Sequence, residues 1–105
     1  MPKALGGDYM CQSCDTFDTT VQIDSPKQLR RVVEKVRNAL EAETLRCNEY
    51  ESSRALIGQP PFSELNLEST IPDVIRYYFE CRSCGAAFEL MVEAFHGQGG
   101  QWSKI

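Results

Sequence analysis

Cys11-Gln12-Ser13-Cys14 and Cys81-Arg82-Ser83-Cys84-Gly85 are the two stretches on whose reading the fold of this 105-residue chain turns. Each puts two thiols on one tight turn, and two such pairs make up the ligand set of a tetrahedral structural zinc site. Asp15 and Gly85, which follow the pairs, tolerate the left-handed backbone such turns use. The 66 residues between Cys14 and Cys81 exceed the usual spacer of about 15–20, so a closed site pins a long insert at both ends. Four sulfur ligands leave no open position for water or substrate, which points to a structural role rather than hydrolysis. Two other readings stand beside zinc: a disulfide framework, and a redox Cys-x-x-C, which normally opens a helix in a βαβ unit. Here strand-like alternation follows both pairs instead.

The length fits one domain, residues 1–105, small enough for a metal clip to matter. Hydrophobic residues at 42% and charged residues at 25% are ordinary for a globular chain and exclude disordered and fibrous classes. Neither a signal-peptide run nor a membrane-span run of about 18 apolar residues is present. The expected location is the cytoplasm, where thiols stay reduced and metal is favoured over disulfide. The net charge is −4, and four zinc-bound thiolates with their ion would bring it to about −6. Residues 1–46 carry seven basic and seven acidic side chains, residues 47–105 four and eight. The second half is therefore the expected surface for a basic partner, set against the plain alternative that acidity keeps the chain in solution.

Around the first pair a knuckle is expected at 9–16. Phe17, Thr19, Val21 and Ile23 then alternate with polar residues as a strand. Ser25 as N-cap, Pro26 at the first helical position and Gln28 three after the cap open a helix expected over about 26–45, with Leu29, Val32, Val33, Val36 and Leu40 as its apolar stripe. Its cations Lys27, Arg30, Arg31, Lys35 and Arg37 precede the anions Glu41 and Glu43, an order that opposes the helix dipole. About 47–72 reads as a loop with a short helical turn, broken by Pro60-Pro61, in which Cys47 is a buried, inert thiol. A hairpin built on the second pair is expected over about 74–96, with Ile75, Tyr77 and Phe79 sharing one face and Phe88, Leu90, Val92 and Ala94 facing the core. The predicted fold class is therefore α+β: a small antiparallel sheet of zinc-ribbon type, one amphipathic helix packed on it and inserted between the two knuckles. The glycines of His96-Gly97-Gln98-Gly99-Gly100-Gln101-Trp102 lack the Lys-Ser/Thr and following helix of a phosphate loop. They read as a turn that lets Trp102 fold back on the sheet.

The expected metal ligands are Cys11, Cys14, Cys81 and Cys84. No nucleophile, base and orienting group fall into a catalytic pattern, so a non-enzymatic role is expected. Three classes remain: a protein-binding module with an acidic, aromatic-bearing surface; a nucleic-acid binder using the basic start of the helix, against which the net charge weighs; and an enzyme subunit or redox protein. The candidate partner contacts are Glu49, Tyr50 and Glu51, with Glu41, Glu43 and Trp102 beside them.

The two knuckles, Cys11-Gln-Ser-Cys14 and Cys81-Arg-Ser-Cys84-Gly85, resemble those of zinc-ribbon proteins over about a third of the chain. That resemblance implies a fold. The short acidic layout with its His96-Gly97 to Trp102 tail is also similar to small bacterial immunity proteins of secreted-toxin systems. That likeness implies a dedicated inhibitor covering a basic toxin cleft.

Overall fold

The computed structural model describes residues 14–55, 58–67, 74–93 and 99–105, which form an α+β fold around a five-stranded antiparallel sheet. The strands are β1 (Val21–Ile23), β2 (Leu45–Cys47), β3 (Val74–Cys81), β4 (Ala87–Glu93) and β5 (Gly99–Lys104), in the spatial order β1-β5-β4-β3-β2. Two helices, α1 (Pro26–Glu41) and α2 (Glu49–Ala55), and two 3₁₀ turns, Asp15–Phe17 and Phe62–Glu64, complete the described elements. Cys11, His96 and Ala94, with the beginning of the first knuckle and the end of the hairpin, lie outside the described residues.

The long hairpin β3–β4 forms because both strands alternate with period two. Its register pairs Ile75 with Val92, Tyr77 with Leu90 and Phe79 with Phe88, and all six are buried. Leu90 in turn pairs with Trp102 on β5, so the apolar residues fall on one face of the pleat. Leu29, Val33, Val36 and Ala39 of α1 join the same buried cluster. They recur at i, i+4, i+7 and i+10, the stripe expected of an amphipathic helix. Aromatic rings run through this core. Trp102 stacks on Phe88 at 5.4 Å and meets Phe17 and Phe79 at 5.6 Å each, while Phe62 stands edge-on to Phe79 at 5.0 Å and to Tyr77 at 5.2 Å.

The start of α1 follows the capping rule with one change. The Gln28 backbone N–H donates to Ser25 Oγ at 3.2 Å, but the Gln28 side chain accepts from the backbone N–H of Asp24, one residue before the cap. The helix ends at Glu41, four residues short of the expected Leu45. A Schellman motif stops it: the N–H of Thr44 donates to the Ala39 carbonyl, and that of Glu43 to Leu40. Glu43 takes the left-handed conformation (φ 62°) that glycine usually fills. Without a glycine there, the sequence carried no stop signal, and Leu45–Cys47 continues as an edge strand against β3.

Three further segments correct or refine the expectation. The expected strand from Phe17 to Ile23 is a strand only from Val21, because Asp15–Phe17 turns as a 3₁₀ helix that buries Phe17. The short helical turn expected within 47–72 is α2, whose first turn is capped by Asn48 Oδ1 accepting from the Glu51 N–H at 3.0 Å. Of the Gly-rich stretch read as a turn, His96, Gly97 and Gln98 lie outside the described residues, whereas Gly99 and Gly100 already belong to β5, which pairs with both β1 and β4 and carries Trp102 back onto the sheet. A Cβ on Gly100 would overlap the Met91 carbonyl, so this glycine marks a close backbone approach inside the sheet.

Candidate metal centre

The sulfurs of Cys14, Cys81 and Cys84 come together at the end of the β3–β4 hairpin, all within 4.8 Å of one another. Local hydrogen bonding explains why these positions converge. Cys81 closes β3, its N–H donating to the Ala86 carbonyl at 2.8 Å, and the Gly85 N–H returns to the Cys81 carbonyl at 2.9 Å. Gly85 has φ 80°, the left-handed step that lets Cys84 turn back toward Cys81. Cys14 arrives from the other end of the chain, its carbonyl accepting from the Phe17 N–H as the 3₁₀ turn begins. Phe17 anchors that turn, because its own carbonyl accepts the Trp102 indole N–H at 2.8 Å in the core.

The geometry fits a metal better than a disulfide. Sulfurs about 2.3 Å from one tetrahedral ion stand roughly 3.8 Å apart; Cys14 Sγ and Cys84 Sγ are 3.7 Å apart. A disulfide needs about 2.0 Å, far shorter than this separation. The polar surroundings also suit thiolates. The Ser83 N–H donates to Cys81 Sγ at 3.4 Å. Burial alone would push the Cys81 thiol up, but hydrogen bonds from the Cys84 and Ser83 backbone and from the neighbouring thiols outweigh it and bring the group down to about 7. Lys104, bonded to Asp18 at 3.1 Å, is held above its ordinary value first by Asp18 and then by Cys14 and Cys84. Cys14 and Cys81 are buried and Cys84 is exposed, so the site opens to solvent on one side.

Three of the four expected ligands therefore meet, and they can hold a metal ion; the fourth, Cys11, lies outside the described residues. Cys47 stands apart. Its thiol is half-buried, 3.8 Å from Ser52 Oγ, and desolvation, partly offset by that hydroxyl, pushes it up to about 11.

The expected partner contacts separate into groups. Glu49, Tyr50 and Glu51 form the exposed first turn of α2, where Tyr50 is 66% exposed. Tyr50 is braced by Arg54, whose guanidinium lies 5.3 Å from the ring centre. Glu41 and Glu43 are exposed at the other end of β2. Trp102 is not a surface residue: it is 2% exposed, and its only polar atom is committed to Phe17, so its role is packing.

Sequence reasoning missed the polar side chains that place α2. The Asn48 N–H donates to the Tyr78 carbonyl at 2.7 Å, and Ser52 Oγ accepts from the Tyr78 N–H at 2.9 Å. Gln59 pairs like a strand peptide with Arg76, accepting its N–H at 3.0 Å and donating to its carbonyl at 2.7 Å. Together they cover the edge of β3 beyond the short β2. The sequence held no signal for this, because Ser52 is known to be buried only from the fold. No helix among the described residues is long and apolar enough to cross a membrane. No family model matches the chain, and no curated protein or solved structure matches it.

Proposed function

We propose that this chain is a non-enzymatic, zinc-stabilised protein-binding module. The observation that carries the reading is the convergence of Cys14 with Cys81 and Cys84 from opposite ends of the sequence to within 4.8 Å of one another, with the Cys14 and Cys84 sulfurs 3.7 Å apart, close to tetrahedral ligand spacing. With Cys11 as fourth ligand the centre is a closed tetrathiolate of zinc-ribbon type, and α1 is the long insert between its knuckles. Such an ion holds structure and supplies no chemistry to a substrate. Thiols kept reduced for metal fit a cytoplasmic setting.

The partner in this reading is a basic protein. Support comes from the net charge of −4 and from the exposed Glu49-Tyr50-Glu51 turn, an aromatic side chain between two carboxylates on a rigidly backed helix. A bacterial immunity protein, covering the basic cleft of a toxin from sister cells, is the specific form we favour. Native mass spectrometry of the protein captured from its host tests both halves: zinc with a basic protein bound supports the reading, whereas a nucleic-acid adduct replaces it with phosphate binding. With a partner in hand, the Glu49→Lys, Glu51→Lys double variant should associate more slowly and with weaker salt dependence. Unchanged association rates would remove this turn from the interface.

A further inference from the structure

We infer that the cysteine centre is also a peroxide-sensitive switch, in which a disulfide between Cys14 and Cys84 takes over from the metal as the clip that holds the chain ends together. The inference rests on the metal reading above and adds its regulation. Two observations carry it. The first is the unequal exposure of the three sulfurs: Cys84 is open to solvent while Cys14 and Cys81 are buried, so an oxidant in water meets Cys84 first. The second is the approach of Cys14 Sγ to within 3.7 Å of Cys84 Sγ, which supplies a resolving thiol across the fold, from a segment far away in sequence.

The chemistry closes with a peroxide as the named oxidant. The Cys84 sulfur attacks one peroxide oxygen, the O–O bond breaks, and the leaving oxygen departs as water after taking a proton, leaving a sulfenic acid on Cys84. The Cys14 sulfur then attacks Cys84 Sγ; the new S–S bond forms as the S–O bond breaks, and a second water leaves. Two sulfurs have together lost two electrons and the peroxide has gained them. With both sulfurs withdrawn, the site keeps too few ligands to retain its ion. The new bond joins the same two segments that the thiolate centre joined, the start of the Asp15–Phe17 turn and the tip of the β3–β4 hairpin, so the fold is held in both states.

The test uses the full chain, reduced and loaded with zinc, titrated with hydrogen peroxide in the presence of a chromogenic zinc chelator. Expected results are release of the bound zinc, loss of the mass of two hydrogens, a Cys14–Cys84 cross-linked peptide on digestion, and retention of the folded circular dichroism spectrum. Cys47→Ser should release zinc as the parent does. Cys84→Ser, if it folds and retains zinc, should release it about tenfold more slowly or less. A Cys81–Cys84 link as the main product, overoxidation without a cross-link, unfolding on oxidation, or zinc retained against excess peroxide would each overturn the switch. A reduced protein that binds no zinc overturns the metal reading itself, and the zinc titration before peroxide is added separates that failure from the others.

Discussion

Removing the metal should cost this protein a large share of its stability, and the size follows from where the ligands lie. A clip at Cys14 and Cys84 closes a loop of about 70 residues, and the chain-entropy relation assigns roughly 4 kcal/mol to such a constraint on the unfolded chain. A domain of this length has a total stability of about 5–15 kcal/mol, so the clip is not a marginal contribution. At about 4–8 °C per kcal/mol for a small domain, the chelated protein should melt about 20 °C below the zinc-loaded one. Cys81→Ser should abolish most of that zinc-dependent increment, because Cys81 is 3% exposed and its sulfur also accepts the Ser83 N–H. The assay is thermal circular dichroism under reducing conditions, with zinc or with a tight chelator, on parent, Cys81→Ser and Cys47→Ser. Cys47→Ser should keep the full increment, since its thiol bonds Ser52 outside the sulfur cluster. Loaded and chelated parent melting within about 3 °C of each other would refute the reasoning, as the loop closed by the metal would then contribute nothing.

Trp102→Phe should cost about 2 kcal/mol in urea denaturation, because it leaves the buried Phe17 carbonyl without its indole donor; a loss below about 0.5 kcal/mol would show that bond to be dispensable. Glu43→Gly should stabilise the protein by about 1 kcal/mol, relieving the left-handed strain at φ 62°, readable as a raised urea midpoint at constant slope. Tyr77 is held up to about 12, first by burial and then by Cys47, while its hydroxyl donates to the Pro60 carbonyl at 2.5 Å. Its raised value means that this contribution is full below the unfolded value near 10 and lost as pH rises through 12. Parent should therefore lose up to about 2 kcal/mol more than Tyr77→Phe over that window, and parallel pH profiles would contradict it. In metal-free protein at pH 8, Cys47 should react with iodoacetamide about 100-fold more slowly than an ordinary thiol, since its value near 11 leaves little thiolate; labelling as fast as the clustered cysteines would show the site to be open.

Parts of this fold were legible because short-range chemistry and long-range packing agree there. Ser25, Pro26 and Gln28 announce a helix start that the cap geometry realises, and the alternation through Ile75–Phe79 and Phe88–Val92 matches the buried face. The cysteine spacing brought Cys14 to Cys81 and Cys84 across 66 residues, since two-residue knuckles signal their ligand geometry locally. Illegible elements are those whose reason lies elsewhere in the chain. β5 reads as a loop until Met91 is seen to require a glycine at position 100, and β2 goes unread between a helix run on to Leu45 and a loop begun at Cys47, because Glu43 stands where a glycine would have ended the helix. The acidic contact set was read from charge and exposure, which placed the α2 turn at the surface; Trp102, read both as a contact and as folding back on the sheet, takes the second role, its indole N–H bonded to a carbonyl 85 positions away.

The proposed contact turn and the cysteine cluster share one structural member, so a metal ion held there would be more than a remote staple. β3 carries Cys81 at its end, and its Arg76 and Tyr78 backbone groups hold Gln59, Asn48 and Ser52, which fix α2. β2 ties the two regions together: Leu45 pairs with Cys81, the Arg82 N–H donates to the Thr44 carbonyl at 2.9 Å, and Arg46 meets Glu80, whose other oxygen accepts from Asn48 at 3.1 Å. A three-residue edge strand has little stability of its own, so β2 depends on the sulfur-bound end of β3 keeping its place. Loss of the metal should therefore loosen α2 before it loosens the aromatic core around Trp102. Hydrogen exchange on chelated and loaded protein measures this directly: the amides of Glu51, Ser52 and Tyr78 should lose protection ahead of Leu90 and Trp102. Uniform loss across all of them would mean that the contact turn senses the metal only through global unfolding.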